Sequence, residues 1–175
     1  IELFTSQGVG LFNFGPDPCD DVANGPAPVP ANCIGAAPYQ VTLAQSTGGG
    51  LSSPAGQYNQ LGGGNPNVSP ETGDTYTFGF VFAPSFLEGF NISIDYFDIE
   101  VTDLIATVGA ANIVNDCYTN ATPASCGAIT RNPGNGRLWT GSGQVINLNT
   151  NIGGLHTTGV DINVNYDMDI GAMGG

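Results

Sequence analysis

The chain has 175 residues, enough for one ordinary domain, and sets 15 Asp plus Glu against two Arg and no Lys, a formal net charge of −13. Such a field repels nucleic acid, which is therefore not an expected partner, and it gives no electrostatic attraction to an anionic membrane surface. Gly (27) and Pro (12) stop short of a low-complexity composition, the 41% apolar fraction argues against disorder, and no apolar run reaches the roughly 18 residues of a transmembrane helix. The chain opens at Ile1 without Met or a signal peptide, and we read it as a processed piece or an excerpt.

Residues 1–74 show almost no sustained periodicity. Ile1–Phe4 and Val9–Phe14 are short apolar pieces, and Gln40–Ala44 fits a brief strand or a helical turn. Gly, Pro, Asn, Ser and Ala fill the remainder, which predicts a large, partly ordered surface loop. Gly62–Gly64 reads as a flexible hinge and not as a phosphate cradle, because no strand precedes it and no helix follows.

The pattern changes at Asp74. Tyr76, Phe78, Phe80 and Phe82 alternate with Thr75, Thr77, Gly79 and Val81, and a tight connection over 83–89 leads into Phe90, Ile92, Ile94 and Tyr96, alternating with Asn91, Ser93 and Asp95. Two alternating runs around a short turn predict a hairpin. After Tyr96 the phase slips, so that Phe97, Ile99 and Val101 are apolar; a bulge, or a strand passing between environments, would do this. Ala110–Tyr118 fits a short helix, and Leu138–Trp139 with Gln144–Leu148 fits a further strand. Last, Val160, Ile162, Val164, Tyr166, Met168 and Ile170 alternate with Asp161, Asn163, Asn165, Asp167 and Asp169. A 3.6-residue period would mix these two sets on every face, so the chain is read as all-β.

Four cysteines form two local pairs, Cys19/Cys33 and Cys117/Cys126, each within a turn-rich segment. Metal-ligand spacing with His is absent, and two loop-stapling disulfides in an oxidising compartment are the better reading. The dense carboxylates Asp95, Asp98, Glu100 and Asp103 offer oxygen ligands for a weak calcium site, without the EF-hand order. Solvated surface carboxylates are the plainer reading. His156, the sole His, stands in no triad or nucleophile-elbow context and is read as a rim residue; no catalytic residue is assigned and no enzyme is expected. Trp139 and Tyr166 read as interfacial anchors.

An antiparallel sheet of roughly four to five strands with one apolar face fits two settings, a soluble sandwich or the wall of a transmembrane barrel. The apolar face should gather Tyr76, Phe78, Phe80, Phe82, Ile92, Ile94, Val160, Ile162, Val164 and Tyr166. Thr75, Thr77, Asp95, Asp161, Asn163 and Asn165 should lie opposite. An all-aromatic first strand, a short turn at one end with long stapled loops at the other, and the near absence of cations favour the barrel wall.

The stretch Gly64-Asn65-Pro66-Asn67-Val68-Ser69-Pro70-Glu71, followed by Tyr76 and Gly79, resembles the G-N-P-x-L-x-P-E…Y-x-x-G signature of TonB-dependent outer-membrane receptors. Phe86–Phe90, Ile92–Ile99 and Asn151–Tyr166 are similar to the turn and returning strands of that family. The resemblance implies a fragment from the later part of the barrel without its plug, in the bacterial outer membrane with loops extracellular. It divides into a loop region 1–74 carrying Cys19/Cys33 and a strand region 75–175 carrying Cys117/Cys126, one incomplete barrel domain. Its implied partners are the lipid bilayer and the remainder of the barrel, and its implied cargo is iron chelates, vitamins or carbohydrates, with no transport by the piece alone. If the 175 residues were the whole molecule, unpaired strand edges and a bare aromatic face would drive self-assembly with copies of itself into oligomers or a secreted or cell-surface filament. A secreted sandwich binding calcium or glycans is the third reading.

Overall fold

The computed structural model describes residues 5–25, 28–47, 49–168 and 171. In chain order it contains strand β1 (Gly8–Asn13), helices α1 (Asp21–Asn24) and α2 (Leu43–Thr47), and strands β2 (Gln57–Gly63), β3 (Thr72–Phe82), β4 (Phe90–Thr102) and β5 (Ile105–Ala106). There follow helices α3 (Ala110–Asn120) and α4 (Pro123–Gly127) and strands β6 (Ile129–Thr130), β7 (Gln144–Leu148), β8 (Thr150–Asn151) and β9 (Leu155–Tyr166). These elements fall into two compact units, one formed by Ile1–Val68 with Ile105–Ile152, the other by Ser69–Leu104 with Gly153–Gly175.

The first unit is a folded module built from the two segments whose sequence lacks periodicity. Its sheet has the order β1-β2-β7-β6, with β1 antiparallel to β2 and β2 parallel to β7. The expected irregular loop over 1–74 is thus replaced by strands and helical turns around a core. Val41, Leu51 and Tyr58 from the first segment are buried with Val114, Ile129, Leu138 and Val145 from the second, and both disulfides are buried among them. The expected hinge at Gly62–Gly64 is corrected as well: Gly62 and Gly63 end β2, Gly62 in register with both β1 and β7 and Gly63 with β7. Gly63 has φ +122, and a Cβ there would lie 2.5 Å from the Ser6 carbonyl oxygen, so glycine is required by close backbone approach. Leu138–Trp139 forms no strand. Leu138 is core, and the Trp139 indole N–H donates to the Leu51 carbonyl at 2.9 Å, which makes Trp139 a packing residue of the module and not an interfacial anchor.

The second unit is a three-stranded antiparallel sheet in the order β3-β4-β9. Eleven, 13 and 12 residues long, its strands exceed the usual soluble strand and reach the roughly 9–11 residues of a membrane-crossing one. The sheet has three strands among the described residues, where roughly four to five were expected. β4 runs in unbroken register from Phe90 to Thr102, so the phase slip after Tyr96 is not a bulge. The last alternating run ends at Tyr166 as a strand; Asp169 and Ile170 lie outside the described residues, as do Ile1–Phe4. None of the described residues of this unit is buried, so the sheet has no core of its own. The described chain contains no closed barrel.

Candidate functional site

In an antiparallel ladder, residues directly opposite one another share a face. Register therefore decides what each face of the three-stranded sheet presents. On one face, successive rows are Phe90/Tyr166, Phe82/Ile92/Val164, Phe80/Ile94/Ile162 and Phe78/Tyr96/Val160. All are apolar or aromatic, and the row residues Phe78, Ile162 and Ile94 are 74%, 64% and 38% exposed. The Phe80 and Phe82 rings stack at 6.4 Å. Tyr76, Phe78, Phe80, Phe82, Ile92, Ile94, Val160, Ile162, Val164 and Tyr166 thus lie on one face, and Thr75, Thr77, Asp95, Asp161, Asn163 and Asn165 on the other.

Above Tyr96 the same face becomes polar, with rows Tyr76/Asp98/Thr158 and Asp74/Glu100/His156. On β4 the opposite face inverts at the same height. Below, that face carries the rows Asn91/Asn165, Val81/Ser93/Asn163 and Gly79/Asp95/Asp161; above, Thr77/Phe97/Gly159, Thr75/Ile99/Thr157 and Gly73/Val101/Leu155. The phase slip therefore lies along an unbroken strand, where the apolar side chains of β4 move from one face to the other. Two glycines stand beside it. A Cβ on Gly79 would lie 2.3 Å from the Asp95 carboxylate, and one on Gly159 would lie 2.4 Å from the Phe97 ring packed over it.

The carboxylates considered for calcium do not converge. Asp95 pairs with Asp161 on one face, Asp98 and Glu100 lie on the other, and Asp103 follows the strand end with φ 56. Among the described residues no group of three or more His, Cys, Asp or Glu is placed to hold a metal ion. His156 sits in the row with Asp74 and Glu100, its Nε2 2.8 Å from Asp98 Oδ1, while the Tyr96 hydroxyl donates to Asp98 Oδ2 at 3.2 Å.

The Gly64–Glu71 stretch connects β2 to β3 through Asn65. The Asn65 Nδ2 donates to the Asn149 carbonyl at 2.9 Å, its Oδ1 accepts from the Asn67 amide at 3.0 Å, and the Gly64 amide donates to the Thr5 carbonyl. Asn65 thereby closes a turn that Pro66 pre-sets, which accounts for Asn-Pro at this position. Tyr76 lies on the same face of β3 as Phe78, where the apolar rows give way.

The folded module is organised by residues that sequence reasoning passed over. The Arg131 guanidinium binds the Asp17 carboxylate through two parallel bonds of 2.8 and 2.9 Å, both side chains being fully buried. Its remaining donors reach the Tyr39 and Gly136 carbonyls and the Tyr118 hydroxyl, which in turn donates to the Tyr39 carbonyl. Burial raises the Tyr118 pKa to about 12, against the opposing pull of Arg131. Burial works against the Arg131 charge, yet Asp17 and Tyr118 outweigh it and hold the guanidinium protonated. The one available signal was composition: an Arg in a Lys-free chain, beside a cysteine loop. Arg137 stacks over Trp139 at 4.8 Å and donates to the Gly50 carbonyl.

Cys19 is bonded to Cys33 and Cys117 to Cys126, closing sequence separations of 14 and 9. Loop-closure entropy for the shorter bridge is worth roughly 2.5 kcal/mol. The Cys117→Ser/Cys126→Ser variant should lose about that amount in urea unfolding followed by the fluorescence of Trp139, the chain's only Trp. Asp20 caps α1 through the Ala23 amide and accepts the Ser52 amide. Burial pushes its carboxyl up, but these amide bonds prevail and hold it below the ordinary 3.8. A carboxyl depressed in the folded state stabilises fully above its unfolded value and loses that contribution as pH falls through the folded one. Acid titration of the module, read by the same fluorescence, should show an unfolding arm below the ordinary carboxylate range that Asp20→Asn weakens.

A family model described as TonB dependent receptor-like, beta-barrel matches residues 35–175. No curated protein and no solved structure matches the chain.

Proposed function

Because the chain belongs to the TonB-dependent receptor-like β-barrel family, we propose that its three-stranded sheet is a stretch of barrel wall and that its disulfide-stapled module is an extracellular elaboration of that wall. Family membership assigns it to the bacterial outer membrane and to receptor-type transport. The observation that carries the finer reading is a sheet without a core whose one face is a continuous apolar band of four rows. In water that band opposes stability, since burying each such side chain is worth about 1.5–3 kcal/mol. Against lipid it is the favourable surface, and the polar row on the other face faces a hydrated lumen. The free edges of β3 and β9 pair with neighbouring strands of the receptor, as closure of a barrel demands.

The chain takes no catalytic part in this reading. Its cargo falls among iron chelates, vitamins or carbohydrates, and the wall and module act with the remainder of the receptor. Among the described residues, no observation favours a self-assembled filament or a secreted calcium- or glycan-binding sandwich over this role. Sidedness tests the proposal. In cells making the receptor that carries this chain, a membrane-impermeant thiol reagent should label Leu43→Cys without permeabilisation. It should label Phe86→Cys, in the tight turn, only after the outer membrane is opened. Both residues are exposed. The reverse pattern, or labelling of neither site on intact cells, would contradict an extracellular module.

A further inference from the structure

Both faces of β4 invert in character at one height, between Tyr96 and Asp98. Resting on the barrel-wall reading, we infer that the row Tyr76/Asp98/Thr158 is the boundary between hydrocarbon and headgroups, and that β3, β4 and β9 continue beyond it as a collar outside the membrane. The chemistry of the rows dictates the position. Below the boundary every outer residue from Phe90 to Tyr96, with its partners on β3 and β9, is apolar or aromatic. One step above stands a carboxylate, Asp98, and a further step brings Asp74, Glu100 and His156 together. A charged group costs a few kcal/mol at mid-depth in a lipid-facing wall and almost nothing at the interface, so the row with Asp98 is the deepest the headgroup region allows.

Four observations agree with this height. The Tyr96 ring belongs to the last apolar row, while its hydroxyl reaches up to Asp98, as an amphipathic ring does at an interface. Tyr76 occupies the boundary row itself, and Tyr166 opposes Phe90 in the lowest row, so tyrosines bracket the band at both ends. From Phe90 to Asp98 the strand advances roughly 27 Å at about 3.4 Å per residue. Tilted by about 40°, that length rises ~21 Å, close to the ~25 Å of such walls. On β4 the polar residues of the opposite face, Asn91, Ser93 and Asp95, end at the same level, which a merely frayed strand end would not produce.

The test is a depth series on one strand. Val164, Ile162, Val160, Thr158 and His156 are each replaced by Cys in the receptor carrying this chain, spin-labelled and reconstituted in phosphatidylcholine vesicles. Collision rates with oxygen, which concentrates in hydrocarbon, are compared with those of a water-soluble nickel chelate. Oxygen should dominate at 164, 162 and 160, the two should balance at 158, and nickel should dominate at 156. A second series at Ile94, Tyr96, Asp98 and Glu100 on β4 should cross at 98, and guards against one strand's variants failing to fold. A crossing two or more residues away from these rows on both strands overturns the boundary while leaving the wall in the membrane. Nickel access at every outer position, or shielding of all of them from both probes, overturns the barrel-wall reading itself.

Discussion

Asp17→Ala should destabilise the folded module by about 3–5 kcal/mol, because it leaves the Arg131 charge buried without its counter-ion. The two side chains are 1% and 0% exposed, and the carboxylate holds the guanidinium through both oxygens. No rotamer of a buried Arg brings the charge back to water while Tyr39, Tyr118 and Gly136 hold its other donors. The variant also strips the Cys19 amide of its acceptor, since Asp17 Oδ1 receives it at 2.9 Å. Replacing both partners together, Asp17→Leu with Arg131→Met, removes the uncompensated charge and should cost less than either single change. Urea unfolding read through Trp139 reports the module selectively, because that indole sits against its core. A loss below about 0.5 kcal/mol for Asp17→Ala would show that the pair is not what holds the two segments together.

Ile162→Arg should cost the wall about 2–4 kcal/mol of folding stability in phosphatidylcholine vesicles, the price of a cation near mid-depth. Ile162 is in the central row with Phe80 and Ile94, and it is 64% exposed on the apolar face. Thr158→Arg, on the same strand and face but level with Asp98, should cost at most about 1 kcal/mol. Asn163→Arg, one residue from Ile162 yet on the opposite face, should be tolerated as a lumen-facing change. Equal costs at 162 and 163 would mean that the two faces see the same solvent.

The three-stranded sheet was legible because its side chains alternate every two residues between an apolar and a polar face. Phe78, Phe80 and Phe82, and Ile162 with Val164, announce a face before any partner strand is known. The slip after Tyr96 left two readings open in the sequence, and the unbroken register of β4 removes the bulge. The module was illegible for the opposite reason. Val41, Leu51 and Tyr58 stand singly among Gly, Pro and Ser, and they become a core only when they meet Val114, Ile129 and Val145 from a distant segment. The parallel pairing of β2 with β7, and the contact of Asp17 with Arg131 across 114 positions, have no local signature. The cysteine pairs were readable because each closes locally, whereas the four carboxylates near residue 100 looked like one cluster until register placed Asp95 on the other face from Asp98 and Glu100.

The central claim is that the aromatic face of β3, β4 and β9 is covered by lipid. Extraction of membranes from cells making the receptor, first with alkaline carbonate and then with urea, followed by flotation on a density gradient, tests it most directly. Peripheral and aggregated β proteins are stripped or sediment, whereas a wall whose backbone is satisfied by neighbouring strands and whose outer face lies in hydrocarbon stays with the lipid. The chain should float with the outer-membrane fraction after both treatments. Recovery in the soluble or pelleted fraction, free of lipid, would contradict it.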